Sequence, residues 1–485
     1  MAVQRAPVII KPNEPTFVTA RDGKLWLEGS EYRFLGFALP NLHQNENQVH
    51  PDYSNRFPDE FEIRDLLLSL AQMGCRVARI FCLSLHADID GDLPVYVNAV
   101  GQYNEDAFRT LDKVFQLANE YGIRLIFPFI DSHSFPGWRG VDEWAGWKGR
   151  TGAEFWTDPL FKSEYQALLY DVLHRRNVYT GTLYKDEPAV LAWQLGNELD
   201  SWAQDRGLDT QAWLPTHTTW SIEMARFLKS IDANHLVMEA GGNRDAFLTE
   251  PAIDVLSDHY YEYWSRVFGR PYDLREQNQR ALAQIAGRKP LIADEFGMGE
   301  YANLTNLIES ILENGTSGAL LWSLRGHRRD GGFYYHNENG SHYNSYHWPG
   351  FPLGNSYDES PLLQLMRQQA FAIRGLPESP VEPPTEAPMW TAPASADGLS
   401  WRGVTGASHY RIERAEQPAG DWLVVGEQVV DVVIQDVQPY EASGDAVPPV
   451  LFRDRTALPG ISYAYRIRAE NAAGVGPWSF NWYVG

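Results

Sequence analysis

Cysteine is scarce in this sequence: 485 residues carry two, Cys75 and Cys82. Both lie in the run Gly74-Cys-Arg-Val-Ala-Arg-Ile-Phe-Cys82, which reads as one extended strand. Seven residues at about 3.3 Å each hold them roughly 23 Å apart, far beyond disulfide reach. No disulfide framework is expected, so cysteine does not reveal the compartment. Long apolar runs are also missing. None approaches the ~18 residues of a membrane span, and the N-terminal stretch has no apolar core of a secretory signal. The expectation is a cytoplasmic chain, or a secreted or periplasmic one whose signal has been removed. Basic charge is in deficit, with 41 Lys+Arg against 63 Asp+Glu and a formal charge of −22. A phosphate backbone or anionic bilayer must be met by clustered cations, so neither nucleic acid nor membrane is an expected partner. Metal motifs are lacking too. No His-Glu-x-x-His or Cys-x-x-Cys pattern occurs. An EF-hand register from Asp88 places Leu93 and Ala99 where Gly and Glu are required. No metal or cofactor is expected.

Aromatic rings, by contrast, are abundant: 17 Trp, 24 Tyr and 22 Phe. A core absorbs many of them, but so many Trp also suit a cleft that stacks on flat apolar rings, sugars among them. With 44% hydrophobic residues the chain can bury a large core. One boundary stands out. Leu376-Pro-Glu-Ser-Pro-Val-Glu-Pro-Pro-Thr-Glu-Ala-Pro388 holds five prolines and three acids, the composition of an extended spacer. It divides the chain into residues 1–376, a linker at 377–388 and a smaller part at 389–485.

The larger part alternates strand-like and helix-like segments. Strands are predicted at 33–38, 75–82, 124–130, 190–195, 235–239, 254–258, 290–294 and 318–323. Helical spacing appears at 59–73, 104–121, 159–176, 217–232, 273–287, 302–314 and 359–374. Several strands are apolar throughout, as strands buried between crossover helices are. Eight such units predict an α/β fold of the (β/α)8 TIM-barrel kind. A doubly wound open sheet is the competitor. The smaller part has short alternating segments and no helical periodicity. In Tyr463-Ala-Tyr-Arg-Ile-Arg-Ala-Glu-Asn471 alternation sends Tyr463, Tyr465 and Ile467 inward and Arg466 and Arg468 outward, as in a β-sandwich. With Trp401, this stretch resembles a fibronectin type III module, an immunoglobulin-like sandwich, and the resemblance implies core positions for Trp401 and Tyr465.

Chemistry is expected where barrel strands end. The fourth ends Trp193-Gln-Leu-Gly-Asn-Glu-Leu-Asp200 and the seventh Leu291-Ile-Ala-Asp-Glu-Phe-Gly297. Each apolar strand runs straight into a carboxylate, Glu198 and Glu295, where an unpaired charge is costly. Two carboxylates on one cavity supply the acid and the base or nucleophile of glycoside hydrolysis. The bland reading is a pair of salt-bridged strand-end acids, which the coincidence of both at these strands disfavours.

These motifs resemble the retaining glycosidases of clan A. Arg79 on the second strand, His259 and Tyr261 in Ser-Asp-His-Tyr-Tyr, and Trp322 in Leu-Leu-Trp-Ser bring the likeness to glycoside hydrolase family 5, over residues from about 16 to 375. The resemblance implies that Glu198 is the acid/base and Glu295 the nucleophile. Arg79 and Tyr261 would hold Glu295 ionised, Asn197 would bind the sugar 2-hydroxyl, His259 would orient the acid/base, and Trp322 would floor the −1 subsite. Asp131 and His133 follow the third strand, where the family places a polar substrate contact, though their spelling departs from its usual patterns. Trp202 belongs to the aromatic surroundings of the glutamates. The long eighth loop, 324–350, is expected either to wall the cleft, turning a groove into a pocket, or to pack on itself.

The hairpin at 17–37 resembles the β-mannan-active branch of the family, where it caps the barrel bottom. That favours a mannan or glucomannan substrate and an endo-β-mannanase or β-mannosidase. A β-glucan hydrolase of the same family is the nearest alternative, and a non-catalytic carbohydrate-binding barrel the one from another class.

Overall fold

The computed structural model describes residues 16–45, 56–240, 242–262, 265, 269, 271–335, 345–353, 357–391, 395, 398–418, 420–432 and 450–484. Eight parallel strands close into a barrel: β1 (Phe34–Ala38), β2 (Val77–Arg79), β3 (Arg124–Asp131), β4 (Val190–Asn197), β5 (Leu236–Ala240), β6 (Val255–Tyr261), β7 (Leu291–Gly297) and β8 (Gly318–Leu321). Each strand pairs with the next, and β8 returns to β1 with Gly318 opposite Phe34. Around them run α1 (Glu60–Gln72), α2 (Glu105–Tyr121), α3 (Pro159–His174), α4 (Thr210–Ile231), α5 (Arg244–Thr249), α6 (Leu274–Ile285), α7 (Tyr301–Asn314) and α8 (Ser360–Ala372). This is the TIM barrel that the alternation predicts, and closure excludes the open sheet.

Local chemistry explains the boundaries. Asp59 and Glu62 form a reciprocal capping box at the start of α1. Asn104 caps α2, and Gly122, at φ 65°, ends it in the left-handed region that glycine tolerates best. Two elements differ from expectation. α4 begins at Thr210, seven residues early, and carries Pro215 inside it. Proline reads as a helix breaker, but Asp209 caps the added turns and Trp213 packs its ring against Trp202 and Trp156. Within 75–82 only Val77–Arg79 joins the ladder. Beyond it, the Ile80 and Leu83 amides still donate to β3 carbonyls, at 3.1 and 3.2 Å.

The N-terminal hairpin forms a small antiparallel sheet. Its Val18 and Leu25 pack on Val77, Leu236, Val255 and Leu191, residues at the start of their strands. The hairpin therefore closes the end of the barrel opposite the glutamates. The described residues between 389 and 484 form antiparallel sheets, the larger built from His409–Glu416, Leu423–Val429, Tyr463–Asn471, Gly474–Trp478 and Trp482–Val484. Trp401, Tyr410, Ile412, Tyr465 and Ile467 are buried at their centre.

The proline-rich stretch has no helix or strand, as its composition predicts, but it is tied down. Arg367 of α8 pairs with Glu378 and donates to the Ser379 carbonyl, and Asn471 Nδ2 donates to the Glu382 carbonyl at 2.9 Å. The loop after β8 follows the packed alternative in its described residues. Its described rings do not stand along a cleft. Phe333 stacks on His327 and packs on Phe351, Tyr334 donates to Glu62 of α1, and Trp348 Nε1 donates to Gln72 at 2.7 Å. The loop fills the seam between barrel and C-terminal sheets, where Arg402 donates to the Arg329 carbonyl at 2.7 Å. Residues 336–344, part of the loop for which a cleft wall was one expectation, lie outside the described residues. Among the described residues, no helix is long and apolar enough to cross a membrane.

Candidate active site

The C-terminal ends of β2, β3, β4, β6, β7 and β8 converge on one buried polar network. Gly196 lets β4 approach β3, since a Cβ there would lie 2.5 Å from the Ile130 carbonyl oxygen. The strand then delivers Asn197 and, at φ 47°, Glu198. A left-handed glutamate is sparsely populated and persists where surrounding packing enforces it. In β7, Asp294 and Glu295 lie within the strand, buried. In β6, His259 sits in register opposite Glu295.

Arg79 is the hub. Its buried guanidinium donates Nη1 to Glu295 Oε1 at 2.5 Å, Nη2 to Asn197 Oδ1 at 2.8 Å and Nε to Gln194 Oε1 at 2.9 Å, with Asp294 Oδ2 3.3 Å away. A planar fork with several fixed donors is what such a junction requires. The Tyr261 hydroxyl donates to the second oxygen of Glu295. Asn197 is oriented by its partners, its oxygen facing Arg79 and its Nδ2 donating to Asp131 at 3.2 Å.

Glu198 lies between two histidines. His259 Nδ1 is 2.6 Å from Oε1 and His133 Nε2 is 2.5 Å from Oε2. His259 also stands 3.5 Å from both Glu295 and Asp294. Ligand atoms of Glu198, His259 and Glu295 all lie within 4.8 Å of one another. Such a set could hold a cation, but its oxygens are already occupied by Arg79, Tyr261 and the two imidazoles, donors that suit a carboxylate pair.

Burial opposes a charge on His259, yet the carboxylates of Glu295, Asp294 and Glu198 hold its pKa well above the ordinary range. Burial likewise opposes a charge on Glu198, but His259 and His133 hold it well below the usual carboxylate range. Burial pushes Glu295 up, against the pull of His259 and Arg79. Unlike charges packed this closely titrate as one coupled system.

Trp322 is buried with Ala38, Phe81, Trp138 and Tyr261, beside the network. Its peptide bond to Ser323 is cis. Two of the expected site residues are almost wholly buried. Trp202 does not offer a ring face. It is 2% exposed, packed between Trp156 and Trp213, lies under Arg206 and donates to Asp142. Asp131 is 1% exposed and stands behind Asn197. Its carboxylate accepts from that amide at 3.2 Å.

Sequence reasoning passed over Gln194, Asp294 and Asp205. Gln194 Nε2 donates to Asp294 Oδ2 at 2.9 Å, and Asp205 Oδ2 lies 3.2 Å from His133 Nδ1. For the first two a signal existed: a polar residue inside a fully buried strand must be paired. Asp205, in the short helix Trp202–Asp205, gave none.

Residues 16–264, just over half of the chain, match the family model described as "GH family 5 beta-mannosidase-like". The chain is 38% identical over 225 residues to a mannan endo-1,4-beta-mannosidase of rice (Oryza sativa subsp. japonica), covering 46% of this chain and 48% of that one. A tomato (Solanum lycopersicum) protein of that description is 28% identical over 361 residues, covering 64% and 84%. The chain thus spans about half the length of the rice relative. Among solved structures, the endo-1,4-beta-mannanase of Rhizomucor miehei matches with a TM-score of 0.58 and 20% identity, over 74% of this chain and 99% of that one. The endo-beta-1,4-mannanase of Thermotoga petrophila matches with 0.54 and 19%, over 94% and 98%. At such identities these two likenesses are of fold. The span of the family model decides membership: the chain belongs to the β-mannosidase-like branch of glycoside hydrolase family 5.

Proposed function

We propose that the protein hydrolyses β-1,4-linked mannosides with retention of anomeric configuration, as an endo-β-mannanase or a β-mannosidase. The observation that carries this reading is the spacing of its two carboxylates. Nearest oxygens within 4.8 Å suit a retaining pair at about 5–5.5 Å and leave no room for the interposed water of an inverting enzyme. Mannan as the substrate rests on the names of the relatives, and the β-glucan alternative is tested alongside it.

Glu295, held by two donors, attacks the anomeric carbon and forms a glycosyl ester. Glu198 protonates the departing oxygen and later takes a proton from the attacking water. Arg79 and Tyr261 keep Glu295 charged and aimed. The remaining amide hydrogen of Asn197 is available to the sugar 2-hydroxyl, and Trp322 floors the −1 subsite. In this reading residues 1–376 are the catalytic barrel, 377–388 the linker and 389–485 a fibronectin type III-like module. That module packs on the barrel, since Trp401 and Tyr465 are spent in its own core. A non-catalytic sugar-binding barrel would have no need of a paired acid and nucleophile.

The test is a hydrolysis panel of mannan, glucomannan, carboxymethylcellulose, manno-oligosaccharides and aryl β-mannoside and β-glucoside. Glu198→Ala should lose about 10²–10⁴-fold on unactivated substrates. Glu295→Ala should be inactive, and azide should rescue it to an inverted glycosyl azide. Full activity in Glu295→Ala would sink the mechanism, and no turnover of any β-glycan would favour the binding barrel. Release of mannose alone, against mixed oligomers, separates exo from endo action.

A further inference from the structure

The acid/base of the proposed reaction has a partner that the reaction as described does not use. His133 lies with Nε2 2.5 Å from Glu198 Oε2 and Nδ1 3.2 Å from Asp205 Oδ2. It thus bridges the acid/base to a second carboxylate at the mouth of the site. Asp205 is 34% exposed in its side chain and also accepts from Ser201 Oγ at 3.3 Å, so the far side of the bridge meets water. We propose that His133, anchored by Asp205, is the proton store of the acid/base: one proton shared between His133 Nε2 and Glu198 Oε2 is passed to the leaving group and then recovered from water.

The inference rests on the assignment of Glu198 as acid/base. In the first half-reaction the His133 proton moves to Glu198 Oε2, and that O–H turns to the glycosidic oxygen. As Glu295 bonds to the anomeric carbon, the carbon–oxygen bond breaks with its electron pair on the leaving oxygen, which takes the proton. His133 is then neutral and Glu198 a carboxylate. In the second half-reaction water attacks the anomeric carbon, the ester bond to Glu295 breaks, and the water proton returns through Glu198 to His133. One proton leaves with the aglycone and one arrives from water, so the cycle balances.

The surrounding charges fit a store. His133 faces Glu198 at the end of β4, Asp205 in the short helix after it, and Asp131 of its own β3, whose carboxylate accepts the His133 amide at 3.0 Å. Arg206, the nearby cation, is bound to Asp142 and to the Ser132 carbonyl. Glu198 meets His259 on its other oxygen, and His259 faces Glu295 and Asp294. Burial works against a charged His133, but the bonds to Asp205 and Glu198 push its pKa up to about 11. Beside the His259 imidazolium alone, Glu198 would be a carboxylate with no proton to give. Pairing it with a protonated His133 supplies one. Asp205 and His133 are positioning residues, since both act through Glu198.

The test compares Asp205→Asn, Asp205→Glu and His133→Gln with wild type. The readouts are the pH profile of kcat/KM on a manno-oligosaccharide and on 2,4-dinitrophenyl β-mannoside, whose leaving group departs without a proton. Asp205→Asn should move the alkaline limb on the oligosaccharide about 1–3 units acidward, and Asp205→Glu should return it. His133→Gln should cost about 10²-fold on the oligosaccharide and little on the dinitrophenyl substrate. A limb that stays in place, with equal losses on both substrates, would make His133 a prop and overturn the inference. Imidazole ¹⁵N titration supplies a readout independent of turnover. His133 should stay charged through pH 9 in wild type and titrate lower in Asp205→Asn, and an ordinary pKa in wild type overturns the store. Failure of the underlying assignment looks different: wild type that turns over no β-glycoside, or Glu198→Ala with full activity on the oligosaccharide.

Discussion

Arg79 concentrates the logic of the site in one side chain. Four acceptors on β4 and β7 converge on it, so its replacements separate charge from geometry. Arg79→Met removes the cation beside Glu295. A carboxylate that loses a cation partner has its pKa raised, so the acidic limb of kcat/KM should move to higher pH by about 1–3 units. Arg79→Lys keeps the charge but not the fork, and Asn197 and Gln194 lose fixed donors. There the limb should stay within about one unit while kcat falls. A pH-rate series on the two variants checks both outcomes. Glu198 and Glu295 were legible because each apolar strand ran directly into a carboxylate. Asp294 was spelled beside Glu295 yet passed over. Its value lies in partners on β2, β4 and β6, which the chain order keeps far apart.

Strands set where these side chains point, and small residues set how closely the strands approach. Gly196 is the sensitive point, because a methyl group there would meet both the Ile130 carbonyl and the Leu199 side chain. Gly196→Ala should cost about 1–3 kcal/mol of stability and a larger proportion of kcat, since Asn197 and Glu198 follow directly. Urea unfolding with kcat on the same preparation measures the two together. Continued activity at wild-type level would mean that β4 can shift without moving the site. The barrel strands were readable from sequence because strands buried on both faces are continuous apolar runs. α4 begins seven residues before its predicted start because the Asp209 cap and the packing of Trp213 on Trp156 and Trp202 carry the helix past Pro215, which looks like a stop locally.

At the scale of the molecule, the C-terminal sheets are joined to the barrel through a buried histidine. His327, in the loop after β8, lies 2.8 Å from Asp65 of α1 and 3.1 Å from Asp431 of the C-terminal part, and Thr405 Oγ1 donates to Asp65 at 2.5 Å. Burial opposes a charged imidazole here, but Asp65 and Asp431 raise its pKa to about 10. The unfolded value is about 6.5. A raised folded pKa means that the stabilisation is complete below 6.5 and is lost as pH rises through 10. The unfolding temperature should therefore fall across that window in wild type. In Asp431→Asn, which lowers the folded pKa, the fall should come at lower pH. Removing one partner of such a buried pair should cost about 3–5 kcal/mol, read by calorimetry on Asp431→Ala at pH 6. An Asp431→Ala protein as stable as wild type would show that this seam carries no weight.

Sequence by itself determined the barrel, the two glutamates and an all-β C-terminal part, because each is written in local signals: apolar runs, strand-end carboxylates, and period-two alternation. The acidic surface and scarce cysteine limited the chemistry by the same kind of local count. Tertiary structure alone decided what each aromatic ring and buried charge was for. Trp202 and the rings Phe333, Tyr334 and Trp348 of the loop after β8 went to packing and to the seam. His133 reached Glu198 and Asp205, and His327 bridged Asp65 to Asp431 across the seam. Those outcomes depend on which residues the closed barrel brings within a few ångströms, and sequence separations of 65 to 262 residues carry no local trace of them.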